Sequence, residues 1–260
     1  MQWQNHLLLL AVSSRLILRG EEVGEEAKEC VEGLEPTHTA SLKFPHVVSG
    51  EPEQYVFWSI YPVHLSCART NLSKDSMGNA EILKRGDLQL TSAGTGISHS
   101  EKAHGGNQLH LLQIWSLPAT ARLQPKYFTQ HFTDEEKTDK WAKVVAPVWA
   151  DGAKDTREGE GPAPVQSALT LYASNLGKGK ALSRPLEGKK AYVHVIQTSG
   201  YNERQASGAS VKFSTKGGDE VELRERETGL TWTVDVKKKG AILEVENVGD
   251  RAAELVIDLE

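Results

Sequence analysis

The run Gly86-Asp87-Leu88-Gln89-Leu90-Thr91-Ser92-Ala93-Gly94-Thr95-Gly96-Ile97-Ser98-His99-Ser100-Glu101 carries the clearest chemical signal in the chain. Two short strand-like pieces flank Gly86 between Glu81 and Leu90, and the glycines at 94 and 96 permit a tight turn into His99-Ser100-Glu101. Residues i and i+2 of a β-strand share a face, so the His99 imidazole and the Glu101 carboxylate can reach one first-row metal ion. They make half of a ligand set, and the other half has to come from elsewhere in the chain.

Strand-like segments continue on both sides of this run. Tyr55 to Ile60 is aromatic and branched, and Leu109 to Trp115 precedes Pro118. Thr133-Asp134-Glu135-Glu136 has the form of a capping box and predicts a short helix before Trp141. Gly159, Gly161, Pro162 and Pro164 predict a loop or boundary between halves. Beyond it, Tyr192, His194 and Ile196 alternate with Val193 and Val195, and Trp232, Val234 and Val236 alternate with polar neighbours. Val211-Lys212-Phe213, Ala241 to Val245 and Glu254 to Leu259 extend the series. The expectation is an all-β protein whose short antiparallel strands close into two small sandwiches or barrels. Its divisions are an extension over residues 1–40 and domains over 41–150 and 151–260.

Composition sets the outer limits. A chain of 260 residues can bury a substantial core, and a net charge of -5 gives no electrostatic footprint for nucleic acid. No dinucleotide-binding glycine motif or phosphate-loop lysine is present, so a nucleotide-binding α/β fold has no support. Cys30 and Cys67 are the only cysteines, which argues against a disulfide scaffold and for a reducing compartment. The run His6-Leu7-Leu8-Leu9-Leu10-Ala11-Val12 is too short for a transmembrane helix and has no basic residue before it, as a secretory signal would. A peripheral helix or an unstructured extension is expected there, followed by a solvated acidic segment from Glu21 to Glu29. No membrane partner is expected, and a monomer is the default.

The segments Asp75-Ser76-Met77-Gly78-Asn79, Gly86-Asp87-Leu88-Gln89, Ser92-Ala93-Gly94-Thr95-Gly96-Ile97, His99-Ser100-Glu101 and Leu109-His110-Leu111-Leu112-Gln113-Ile114-Trp115 occur in an order that resembles the pirin family of the cupin superfamily. The likeness is nearest to the bacterial quercetinase-like branch. It is strong over residues 72–118, weaker toward the C-terminus and absent before about residue 65. The resemblance implies a bicupin, two cupin-type β-barrel or jelly-roll domains with a metal site in the first. Here that first barrel is expected to be divergent or incomplete. It also implies Fe(II) or another divalent transition metal as cofactor, and a flavonol or other small aromatic molecule as ligand. A cytoplasmic location is implied, with the nuclear role of the other pirin branch as the alternative.

In complete relatives a His-x-His pair on an earlier strand joins the later His and Glu, which fall at His99 and Glu101. A gapless alignment back from Asp75 places Tyr55 and Phe57 where those two histidines would stand. Phe57 cannot coordinate, and Tyr55 could do so only as a phenolate. His46, which follows Phe44-Pro45, and His64, which follows Tyr61-Pro62, are candidates for replacing a missing ligand, each at the cost of a shifted register or loop path. Cys67 is a softer candidate. A surface or packing role is the simpler expectation for all three.

For the remaining histidines the expectations are structural. His104 falls in the polar Lys102-Ala103-His104-Gly105-Gly106 stretch and is expected in an exposed loop; His110 and His194 are expected inside strands, and Trp115 as a core or cavity-wall aromatic. No nucleophile, base and orienting group combine into a hydrolytic arrangement. The resemblance therefore implies a metal-dependent dioxygenase, opening a flavonol ring with O2 in the manner of quercetin 2,3-dioxygenase. His99 and Glu101 would be metal ligands and Glu101 the catalytic base. The competing expectation is a catalytically inactive pirin-like scaffold that binds a ligand or a protein, because the first His-x-His is missing.

Overall fold

The computed structural model describes residues 8–12, 15–18, 54–59, 70–75, 77–78, 80–96, 99–104, 111–116, 118–120, 122–156, 160–186, 188, 190–196, 208–215, 220–224, 231–235 and 240–259. These divide between two units, residues 1–131 with 154–167 and residues 132–153 with 168–260. Among the described residues, strands dominate and no helix is long and apolar enough to cross a membrane.

In the N-terminal unit, one antiparallel sheet runs β2 (Arg15–Leu18), β1 (Leu8–Val12), β8 (Leu111–Ser116), β3 (Gln54–Ser59), β6 (Asp87–Ser92) and β9 (Lys126–His131). A second runs β5 (Ala80–Leu83), β4 (Thr70–Asp75) and β7 (His99–His104). The leucine-rich run near the start is therefore strand, against the expected peripheral helix or unstructured extension. β1 pairs with β2 at Leu10↔Ile17 and with β8 at Leu9↔Gln113. A short apolar run reads equally well as strand or buried helix, and pairing along β8, which satisfies its backbone groups, decides the matter.

β6 is the strand on which the unit is built. Leu88 and Leu90 on one face are fully buried, and so are Gln89 and Thr91 on the other. Burial on both faces marks a central strand, and β6 does lie between β3 and β9. Its register with β9, Leu90↔Phe128 and Thr91↔Tyr127, sorts the sheet into an apolar face and a more polar one. Leu88, Leu90, Phe128 and Ile114 lie on the apolar face, all buried.

The C-terminal unit has a sheet in the order β10 (Ala142–Pro147), β12 (Thr170–Leu176), β19 (Ala253–Leu259), β14 (Lys190–Ile196) and β17 (Thr231–Asp235). Its other sheet runs β13 (Ala181–Leu186), β18 (Ala241–Asn247), β15 (Ser210–Thr215) and β16 (Glu220–Arg224). Inward residues of both sheets, among them Val193, Val195, Leu255, Phe213, Leu243 and Val245, form one apolar cluster. Along β18 the alternation is strict, with positions 243, 245 and 247 buried between exposed or half-buried neighbours. Residues 134–137 form the short helix α1 (Asp134–Lys137), and its capping box is as predicted. The Glu136 N–H donates to Thr133 Oγ1 at 3.2 Å, and the Thr133 N–H donates to Glu136 Oε2 at 2.7 Å.

Two local expectations need correction. His104 is the last residue of β7, paired with Thr70, and not part of a loop. The polar stretch 102–104 reads as loop from composition, but cross-strand pairing with β4 extends the strand through it. Pro164 lies inside a short strand, β11 (Ala163–Val165), whose three residues are all buried. Proline cannot donate to a ladder, which suits a strand this short. Gly161 and Pro162 do form bends, and Gly159 lies outside the described residues.

Candidate metal centre in the N-terminal unit

β7 is reached through the turn at Ala93-Gly94-Thr95-Gly96. The Gly96 N–H donates to the Ala93 carbonyl at 2.8 Å, and the Thr95 N–H donates to the Leu123 carbonyl at 2.9 Å. Gly94 has φ 54, and a Cβ there would run into the Leu123 carbonyl. Only glycine can take this path, since both the backbone angle and the space exclude a side chain. The turn thus fixes where β7 begins, and with it the position of His99.

On β7, His99 and Glu101 occupy alternate positions and so share a face. Pairing with β4 sets Asp75 opposite His99 and Ser73 opposite Glu101. On its other edge β4 pairs with β5, setting Glu81 opposite Ser73. Glu81, Ser73 and Glu101 form one row across the three strands, and Asp75 with His99 begins the next.

Burial and a hydrogen bond tell which way this face turns. On β5 Leu83 is 4% exposed while Ile82 is 44% exposed, so the face of Glu81 and Leu83 is the inner one. Tyr127, itself buried on β9 of the larger sheet, donates its hydroxyl to Glu81 Oε2 at 3.2 Å. The face carrying the positions of His99 and Glu101 is therefore turned toward the face of the larger sheet that carries Tyr127, Thr91 and Gln89.

Register extends that opposing face to β3 and β8. Phe57 pairs with Gln89 and with Gln113, and Tyr55 pairs with Thr91 and with Trp115. Tyr55 and Phe57 thus stand in its rows. Gln89 is 1% exposed, and its Nε2 donates to Thr91 Oγ1 at 3.5 Å. Its Oε1 has no hydrogen-bond partner among the described residues. A buried acceptor left unpaired is costly, and the interior between the two sheets therefore suits a guest that can donate to it.

Among the described residues no group of three or more His, Cys, Asp and Glu side chains converges on a metal position. For His99, Glu101 and Asp75 the structure describes the strand positions. His46, His64, Cys67 and His110 lie outside the described residues. His194 is a buried residue of β14, as expected. Sequence reasoning missed Glu81, Tyr127 and Gln89. The available signal was the polar alternation of Gln89 and Thr91 in an otherwise apolar strand, which marks a lined interior rather than a solvent face.

Comparison with known proteins points to the same stretch of chain. Residues 71–116, which contain β5, β6, β7, β8 and nearly all of β4, match the family model described as Pirin. That segment of the chain is similar to the pirin family. A quercetin 2,3-dioxygenase of Escherichia coli is 45% identical over 81 residues, covering 31% of this chain and 34% of the relative. The chain spans from about a third to about a half of the first curated relatives it matches. Among solved structures, the bacterial pirin YhhW from Escherichia coli in complex with nickel(II) superposes with a TM-score of 0.57 at 20% identity, covering 80% of this chain and 73% of that one. A quercetin 2,3-dioxygenase from Acinetobacter baumannii gives 0.53 at 17% identity, covering 86% and 69%. At these identities the likeness is one of fold, and the all-β fold of the chain is the one expected from its sequence.

Proposed function

We propose that the N-terminal unit binds one divalent transition-metal ion through His99 and Glu101 and acts as a quercetinase-like dioxygenase on a flavonol. The observation that carries this reading is the shared inward face of β7 positions 99 and 101, turned by the Tyr127–Glu81 bond toward a buried polar wall. The nickel(II) complex of YhhW and the name of the Escherichia coli relative support the metal and the substrate class. An imidazole and a carboxylate suit Fe(II) as well as nickel, and Fe(II) is the ion proposed. When bound, such an ion supplies Lewis acidity toward a deprotonated flavonol and access to O2 chemistry. Glu101 accepts the proton of the flavonol hydroxyl, while Gln89 offers to a second hydroxyl an acceptor that has no partner among the described residues.

A second reading, a catalytically inactive scaffold that binds a small aromatic ligand or a protein, is favoured by Tyr55 and Phe57, which stand in the opposing rows where the family supplies imidazoles. One assay separates the two. The full chain is reconstituted with Fe(II), mixed with quercetin without oxygen, and then exposed to O2. Turnover predicts flavonol absorbance falling together with O2 uptake, at least tenfold slower in Glu101→Gln. A metal-loaded chain that consumes neither belongs to the scaffold reading.

A further inference from the structure

In the C-terminal unit two cations meet one aromatic ring. Tyr172 on β12 belongs to the apolar cluster between the two sheets and is buried. Arg184 stands on β13, the edge strand of the opposing sheet, paired with Leu243 of that cluster. Its side chain crosses between the sheets and sets Cζ 3.3 Å from the centroid of the Tyr172 ring. Lys143, paired with Tyr172 from β10, holds its Nζ 5.9 Å from the same centroid. Both charges are therefore within reach of one small molecule. Among the described residues neither cation makes a salt bridge. The Arg184 Nε is buried and has no hydrogen-bond partner among them.

The ring face attracts each cation but offers no acceptor to its N–H groups. Two like charges beside one ring repel each other, and a buried guanidinium donor without an acceptor is costly. An anion relieves both. Apolar surface adjoins the charges: Trp141, two residues before Lys143, and Leu182, two before Arg184, both pack partly buried against the cluster that holds Tyr172. The Trp141 Nε1 is a second buried donor with no partner among the described residues. We propose that Arg184 and Lys143 hold the carboxylate of a small aromatic acid whose ring lies along Leu182 and Trp141. The planar fork of Arg184 matches two carboxylate oxygens, and Lys143 adds a point charge. This binding needs no metal ion and no residue of the N-terminal unit, so it stands apart from the dioxygenase reading.

The test is calorimetric titration of the full chain with benzoate, with benzamide and inorganic phosphate as comparison ligands. The parent should bind benzoate, and bind neutral benzamide and apolar-free phosphate about tenfold more weakly. Benzoate affinity should fall about tenfold in Arg184→Gln and about threefold in Lys143→Gln. It should be unchanged in Lys212→Gln, whose cation already pairs with Glu220. Near-UV circular dichroism records the fold of each variant. Should Arg184→Gln not fold, Lys143→Gln decides, because Lys143 is exposed: unaltered benzoate binding there overturns the inference. A parent that does not bind benzoate overturns it too. So does phosphate bound as tightly as benzoate, which would make the pair a general anion site. Benzoate binding that disappears in His99→Ala would belong to the N-terminal unit and would equally overturn it, leaving the dioxygenase reading intact.

Discussion

The Tyr127 hydroxyl on β9 lies 3.2 Å from Glu81 Oε2 on β5 and joins the two sheets of the N-terminal unit across their inner faces. The bond orients the sheet that carries positions 99 and 101, because Glu81, Ser73 and Glu101 stand in one row. Tyr127→Phe keeps the ring and removes the donor. The expected cost is about 1 kcal/mol in urea-induced unfolding, with weaker metal retention. Unchanged stability and unchanged metal retention would show that the sheets are set by packing alone.

Gly94→Ala is predicted to do more damage than its size suggests. The positive φ alone costs about 1–2 kcal/mol for an L-residue, and the new Cβ meets the Leu123 carbonyl. Because this turn feeds β7, metal occupancy should fall together with stability. Gly78→Ala is the control, with φ +90 and open space around its Cβ, so it pays only the backbone cost. Equal unfolding midpoints for the two variants would contradict the account of the turn.

In the C-terminal unit, Asn247 is 1% exposed and uses both ends of its amide. Its Nδ2 donates to the carbonyls of Leu176 and Arg251, each at 2.8 Å, and its Oδ1 accepts from the Gly249 N–H at 3.0 Å. Asn247→Ala strands these backbone groups, with an expected loss of about 2–4 kcal/mol. Asn247→Asp should be comparably harmful, since an anionic oxygen would replace a donor facing two carbonyls. Chemical denaturation of the three proteins side by side checks both.

Acid should act on β16. Hydrogen bonds from Arg224 first, and from Ser210 second, hold the Glu222 carboxyl down to about 2. The folded state therefore prefers the ionised form, and this stabilisation is present above the ordinary carboxylate range and lost as pH falls through about 2. Glu222→Gln should melt below the parent at pH 7, with the gap closing between about pH 4.5 and pH 2. The pair is substantially exposed, so salt should narrow the gap as well. A gap that persists unchanged at pH 2 would mean the carboxylate charge is not its source.

Much of this fold was legible in the sequence for reasons that can be named. The strand-like pieces around Gly86 are readable up to Leu90, and the structure carries the second through Ser92 with both faces buried. Thr133 and Glu136 announce α1 through chemistry confined to a few neighbouring residues. The leucines of β1 misled because their strand state depends on a partner, β8, a hundred residues away in the chain. The site divides along the same line. His99 and Glu101 announce themselves by spacing, whereas Asp75 beside His99 and Glu81 in the row of Glu101 depend on cross-strand register, which no local pattern carries.

The central claim is that this chain holds a metal ion on His99 and Glu101, and metal content tests it most directly. The reduced, tag-free full chain is reconstituted with Fe(II) under anaerobic conditions, desalted and analysed for bound metal beside His99→Ala. About one ion per chain, falling sharply in the variant, is the predicted result. Substoichiometric metal that is the same in both proteins would contradict the claim.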